Sequence, residues 1–344
     1  MRIELPISKS IANRLLILQA IHGDGLMTVS CDMPDDVRIM SEAIRRLGER
    51  REARIDLGNC GTAMRFLTAY CAQLEGQTTI LDGVERMHHR PIGQLVDALR
   101  EIGADIEYLG EEGFPPLRIK GCILDKQRIV TINNPQSTQF VSALLLIGAN
   151  VQTDSTSPYI YITQEVIKQY QLSPFSYHLS VEKDWSSAAF WYEYVALHGG
   201  EITLLGLSRD SLQGDKIVAD IFAHLGVSTQ YTEEGIRIYR SQAILNSKFL
   251  IQNFSACPDL YPAIALTCER LGIELHATGV ESLPLKESDR LRAVREHRTD
   301  ADHRMAMALL IAGYEVDDIA CISKSYPQFM EQFRQLRKKV IVSE

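Results

Sequence analysis

Apolar residues along this chain gather into six stretches, and each is entered through a short polar cluster. The clusters are Ser8-Lys9-Ser10, Asn59-Cys60-Gly61-Thr62, Gln136-Ser137-Thr138-Gln139, Asp184-Trp185-Ser186-Ser187, Pro258-Asp259 and Asp302-His303-Arg304. Behind them run mostly apolar segments such as Phe140–Ala149 and Ala188–Leu197, which end near a glycine or a turn. Ser, Thr, Asn, Asp and Pro open helices, so the pattern predicts six buried helices with polar N-terminal ends. Each segment is shorter than the ~20 residues a membrane span needs. A helix start offers unpaired N–H groups and a partial positive charge. Several such starts facing one cleft would bind more than one anion.

The linking segments repeat as well. Val96–Leu99 leads through Gly103 into the alternating run Ala104–Tyr108, and Val218–Phe222 leads through Gly226 into Val227–Tyr231. Each reads as an amphipathic helix, a glycine stop and a strand. Glu42–Arg46 with Leu47-Gly48 begins a third copy. Duplicated α/β modules, six in two sets of three, are therefore expected rather than one open sheet.

Bulk properties narrow the function classes. With 344 residues, 45% hydrophobic and 23% charged, the chain can bury a large core and is expected to form two domains. Lys9, Asn13 and Arg14 interrupt the apolar positions of Met1–Ala20, so no signal peptide is expected. Seven scattered cysteines show neither metal spacing nor a disulfide framework, and a cytoplasmic location is expected. A net charge of −8 argues against a nucleic-acid partner, and no membrane partner is expected.

Against that acidic background the cations at helix starts stand out. Lys9 and Arg14 flank Ser10 and Asn13. Asn59, Gly61, Thr62 and Arg65 combine a glycine that admits a ligand to backbone N–H groups with an arginine fork. Arg86, His88, His89 and Arg90 precede Pro91, a good first helical residue; adjacent histidines are poor metal ligands, and no metal is expected. Lys286-Glu287-Ser288-Asp289-Arg290 packs two cations and two carboxylates together, with Lys286 and Arg290 spaced to share a helix face. Each cluster alone also reads as solvated surface, Asp259 as a cap and Lys324 as loop decoration. Together they suit a substrate with several negative charges and a proton-transfer reaction.

From about Leu5 to Phe329 the chain resembles the 3-phosphoshikimate 1-carboxyvinyltransferase, or EPSP synthase, family. The resemblance rests on Ser8–Arg14, Gly58–Arg65, Glu85–Ile92, Ser137–Phe140, Ser211-Leu212-Gln213-Gly214-Asp215, Lys286–Leu291, Asp302–Met307 and Lys324-Ser325-Tyr326-Pro327, in the family's order. It implies a two-domain inside-out α/β barrel with three βαβαββ units per domain. The implied domains are residues 8–182, and 1–7 with 183–344, with hinge crossings near 7–9 and 181–184. The implied reaction moves the enolpyruvyl group of phosphoenolpyruvate to the 5-hydroxyl of shikimate 3-phosphate through a tetrahedral intermediate, releasing phosphate, in a monomer without cofactor. By the same resemblance Lys9, Gly61, Arg90, Arg290, Arg304 and Lys324 surround phosphoenolpyruvate. Lys9, Ser10, Arg14, Ser137, Thr138, Gln139, Tyr159, Asp259, Ser282 and Lys286 hold shikimate 3-phosphate. Asp259 is the implied base, Glu287 the implied acid, and Lys9 shares in proton transfer.

Departures from the family pattern are Ala12, Thr138 and Ser282, which stand where Ser, Ser and Asn are common. The stretches between Gly48 and Ile55 and between Val294 and Asp302 are also short. Either they are true deletions, or residues are missing from the sequence. Because a strand there would be part of a buried architecture, the second reading is preferred. Two other classes fit less well: an enolpyruvyl transferase acting on a nucleotide sugar, and a non-catalytic relative.

Overall fold

The computed structural model describes residues 1–49, 52–172, 181–241 and 248–342. The chain divides into two compact lobes. One, the N-lobe, comprises Lys9–Cys31 and Asp36–Ser180; the other, the C-lobe, comprises Met1–Ser8, Asp32–Asp35 and Val181–Glu344.

The elements run as follows: β1 (Arg2–Glu4), α1 (Lys9–His22), α2 (Asp35–Glu49), β2 (Glu52–Asp56), α3 (Gly61–Ala72), β3 (Thr78–Asp82), α4 (Gly93–Glu101), β4 (Asp105–Tyr108), β5 (Leu117–Lys120), β6 (Ile129–Thr131), α5 (Thr138–Leu146), β7 (Asn150–Gln152) and α6 (Pro158–Leu172). They continue with α7 (Trp185–His198), β8 (Glu201–Leu205), α8 (Val218–Ala223), β9 (Val227–Thr232), β10 (Gly235–Arg240), β11 (Phe249–Asn253), α9 (Tyr261–Leu271), β12 (Glu274–Thr278), α10 (Arg290–Glu296), α11 (His303–Ala312) and α12 (Phe329–Val342).

All six apolar stretches are helices: α1, α3, α5, α7, α9 and α11. They are buried nearly all round; in α7 every residue from Trp185 to Ala196 is buried. A helix with no polar face belongs at a domain centre. Accordingly α1, α3 and α5 pack together in the N-lobe, and α7, α9 and α11 in the C-lobe. Caps set their starts: the side chains of Ser137, Asp184 and Asp302 accept from the backbone N–H groups of Gln139, Ser187 and Arg304.

Each lobe contains one complete βαβαββ module. In the N-lobe the sheet order is β2-β3-β5-β4, and in the C-lobe β1-β8-β10-β9. Both begin with a parallel pair, β2 with β3 and β1 with β8, and finish with an antiparallel hairpin. A second module in each lobe shows only the parallel pair, β6 with β7 and β11 with β12. The expected three full modules per domain are thus one full, one half and one reduced to helices among the described residues. The third copy of the linking pattern, in α2, shows why. The strand after it, β2, pairs in parallel with β3 as the first strand of the next module, so α2 has no strand of its own.

Between Val294 and Asp302 the chain runs from α10 to α11 through a short turn. His297 closes α10 in a left-handed conformation, Arg298 N–H donates to the Ala293 carbonyl at 3.0 Å, and Asp302 N–H donates to the Thr299 carbonyl at 2.9 Å. The turn delivers Asp302 directly as the cap of α11. Helices α7, α9 and α11 close the core without an intervening strand. In the other short stretch, residues 50–51 lie outside the described residues.

Candidate active site

In the N-lobe, hydrogen bonds and ion pairs tie the helix starts together. Lys9 Nζ pairs with Asp36 Oδ2 at 2.9 Å, and the Cys60 thiol lies 3.8 Å from the Asp36 carbonyl oxygen, joining α1, α2 and α3. Gln139 Nε2 donates to Thr62 Oγ1 at 2.9 Å, joining α5 to α3. Gly61 is the first residue of α3, and its missing side chain is essential. A Cβ there would stand 2.6 Å from Arg90 Nη2 and closer still to Arg65 Nη1. Two buried guanidiniums therefore press against the positive end of one helix. That arrangement is repulsive by itself and is relieved by an anion.

Arg14 is consumed differently. Its guanidinium donates to Thr163 Oγ1 at 2.7 Å, to the Ser10 carbonyl at 2.6 Å, to Ser142 Oγ at 3.2 Å and to the Tyr159 carbonyl at 3.0 Å. Burial pulls its pKa down to about 10, against the opposing influence of Tyr159. The structure thus brings Ser10 and Tyr159 together through Arg14. Ser137 and Thr138 lie at the α5 start beside Gln139.

In the C-lobe the carboxylates and cations interlock. Asp259 Oδ1 accepts from Arg290 Nη1 at 2.8 Å and lies 3.5 Å from Lys286 Nζ, while its Oδ2 accepts from Arg304 Nη2 at 2.8 Å. Glu287 holds Arg290 Nη2 at 3.1 Å and Lys324 Nζ at 3.4 Å. Asp302, fully buried, takes Arg290 Nε at 2.8 Å. Burial opposes the charge on Asp259, yet Arg304, Lys286 and Arg290 outweigh both it and Glu287, holding the carboxyl well below the usual range. Burial, helped by Arg290 and Arg304, lowers the Lys286 pKa despite Asp259 and Glu287. Arg304 Nη1 is buried and has no hydrogen-bond partner among the described residues, so a donor remains for an anion.

Several local readings change. Lys286 and Arg290 do not share a helix face: Lys286 follows a 3-10 turn at Leu283–Leu285, and Asp289 caps a new helix that begins at Arg290. They meet at Asp259 instead. Asp259 is no cap, since both its oxygens take side-chain cations. Lys324 is anchored, because Tyr326 two residues on is fully buried and receives a hydrogen bond from Trp191 Nε1 at 3.1 Å. Pro91 lies outside α4, which starts at Gly93. No hydrogen bond links the Ser282 hydroxyl to the cluster among the described residues. Sequence reasoning missed Asp36 and Asp302; Asp302 was visible only as a helix opener, and Asp36 only as an acid ahead of the α2 periodicity.

A sequence model of EPSP synthase (3-phosphoshikimate 1-carboxyvinyltransferase) matches residues 1–297 and 295–333. The chain belongs to the EPSP synthase family. A 3-phosphoshikimate 1-carboxyvinyltransferase of Bacteroides fragilis is 37% identical over 404 positions, covering 99% of this chain and 96% of the relative. One from Cellvibrio japonicus is 31% identical, covering 97% and 96%. The EPSP synthase structure from Acinetobacter baumannii superposes with a TM-score of 0.68 at 18% identity, covering 97% of this chain and 95% of that one, and shares its α/β fold. The 404 aligned positions exceed the 344 residues here, so these EPSP synthases carry residues with no counterpart in this chain. The two family matches meet at the short turn after α10.

Proposed function

We propose that this chain transfers the enolpyruvyl group of phosphoenolpyruvate to the 5-hydroxyl of shikimate 3-phosphate, releasing phosphate. The observation that carries this reading is the match to the EPSP synthase family along almost the whole chain. The site geometry supports it, because each lobe assembles buried cations at helix starts, and the substrates together carry two phosphates and two carboxylates.

In this reading Lys9, Gly61, Arg90, Arg290, Arg304 and Lys324 take phosphoenolpyruvate. Guanidinium forks suit its carboxylate and phosphate, and the Gly61 gap lets both arginines of the N-lobe close on an anion. Lys9, Ser10, Arg14, Ser137, Thr138, Gln139, Tyr159, Asp259, Ser282 and Lys286 take shikimate 3-phosphate, with Arg14 acting mainly by fixing Ser10 and Tyr159. Glu287 gives a proton to the methylene carbon, turning it into a methyl group. The 5-oxygen bonds to the neighbouring carbon while its proton passes to Asp259, with Lys9 assisting. In the second half a methyl proton returns to the Glu287 carboxylate, the double bond re-forms and phosphate departs with the C–O electron pair. Residues 8–182 form one moving domain, and 1–7 with 183–344 the other, crossing near 7–9 and 181–184. The enzyme acts as a cytoplasmic monomer.

Phosphate release tests the reading. Turnover that requires phosphoenolpyruvate and shikimate 3-phosphate together is expected; release no faster than background, or release with a nucleotide-sugar acceptor instead, would overturn it.

A further inference from the structure

Asp259, the proposed base, is clamped by three cations and is for that reason a weak proton acceptor. Something must raise its proton affinity when the 5-hydroxyl is deprotonated. The same lobe holds a further buried carboxyl, Asp215, at the end of the Ser211–Asp215 motif. Asp215 is only 3% exposed, and Ser186 Oγ at the start of α7 donates to its Oδ2. The adjoining Gln213 fixes the turn: its Oε1 accepts from Trp185 N–H at 3.0 Å, and its Nε2 donates to Glu182 Oε2 at 2.9 Å and to the Lys183 carbonyl at 2.8 Å. A buried acid held this firmly is placed rather than incidental.

The charged groups that act on Asp215 are Asp259, Arg304 and Asp184, and Cys257 also feels its charge. Lys216, next in sequence, turns its ammonium to the Ser211 carbonyl at 2.8 Å. Arg304, which bonds Asp259, is also attracted to Asp215 and Asp184. An ionised Asp215 thus divides the pull of Arg304 and adds a negative charge beside Asp259; a protonated Asp215 does neither.

We infer that Asp215 is a positioning residue for the reaction: its ionised carboxylate, buried, held by Ser186 at the start of α7 and sharing the pull of Arg304 with Asp259, raises the proton affinity of Asp259 enough to accept the 5-hydroxyl proton. Burial, with the Asp259 charge second, pushes the Asp215 carboxyl up to about 7, against Ser186 and Arg304. Ionisation of the pair is then completed only near neutral pH. The inference rests on the proposed transferase reaction and extends it.

The test is the pH dependence of kcat in three proteins. The unaltered enzyme is expected to show a rate rising through about pH 7. Asp215→Asn, which keeps an acceptor for Ser186, is expected to lose that rise and to run roughly tenfold slower above it, with KM for both substrates little changed. Ser186→Ala removes the hydrogen bond that favours the ionised form, and is expected to move the rise to higher pH by about half a unit or more. A rise unchanged in either variant overturns the inference, as does a flat profile in the unaltered enzyme; if Asp215→Asn fails to fold, Ser186→Ala decides alone. Absence of turnover in the unaltered enzyme would instead sink the transferase reading.

Discussion

At the scale of single residues, the chemistry depends on how closely charges are forced together. Gly61 is the clearest case, because the space of one methyl group is already occupied by the ends of Arg65 and Arg90. Gly61→Ala should push both guanidiniums off their positions while leaving α3 intact, since alanine is the better helix former. The expected result is a KM for phosphoenolpyruvate raised about tenfold or more, a loss of ~1.4 kcal/mol of binding, with KM for shikimate 3-phosphate changed far less. Steady-state kinetics with each substrate varied in turn will check this, and equal effects on both would contradict the assignment. Glu287 tests the other half. It holds Arg290 and Lys324 at 3.1 and 3.4 Å, so Glu287→Gln keeps the shape but removes the transferable proton. Turnover should fall by roughly 100-fold or more, with KM mostly kept; near-normal turnover would remove Glu287 from the acid role.

At the scale of elements, Asp302 joins three functions in one side chain. It caps α11 by accepting from Arg304 N–H at 2.9 Å, pairs with Arg290 Nε at 2.8 Å, and accepts from Ser288 Oγ at 3.2 Å. Asp302→Ala leaves the nearly fully buried Arg290 short of a counter-charge and should cost about 3–5 kcal/mol. Asp302→Asn retains the cap and should cost less. Urea unfolding midpoints will rank the three proteins, and coincident midpoints would show that the cap and ion pair add nothing to stability. Much at this scale was legible from sequence: polar starts and apolar runs gave all six central helices, because burial on every side leaves a run without a polar face. What could not be read was pairing across the chain. Nothing local marks Asp36 as the partner of Lys9, or says that α2 is followed by the first strand of another module. The Lys286–Arg290 spacing misled because Asp289 starts a new helix between them. The eight motifs still contain most of the charged residues that each lobe gathers near its helix starts.

At the scale of the whole molecule, six buried helices pack as the centres of the two lobes, so stability leans on helix packing. That gives weight to Glu193. This carboxyl lies in α7 at the middle of the C-lobe core, fully buried, and neither oxygen has a hydrogen-bond partner among the described residues. Burial alone raises its pKa well above 4.5. A carboxyl whose pKa is raised on folding binds its proton more tightly in the folded state. Its contribution is therefore fully present below the unfolded value near 4.5, and is lost as pH climbs toward the folded value. Glu193→Met fills a similar volume without the titrating group. The variant should be more stable than the parent at pH 7–8, with the gap widening by up to ~1.4 kcal/mol per pH unit above about 4.5. The gap should narrow to a small remainder at pH 4.5. Urea unfolding at pH 4.5, 6, 7 and 8 measures the gap directly; a difference that does not grow with pH would mean the Glu193 carboxyl ionises in the folded core as readily as in the unfolded chain.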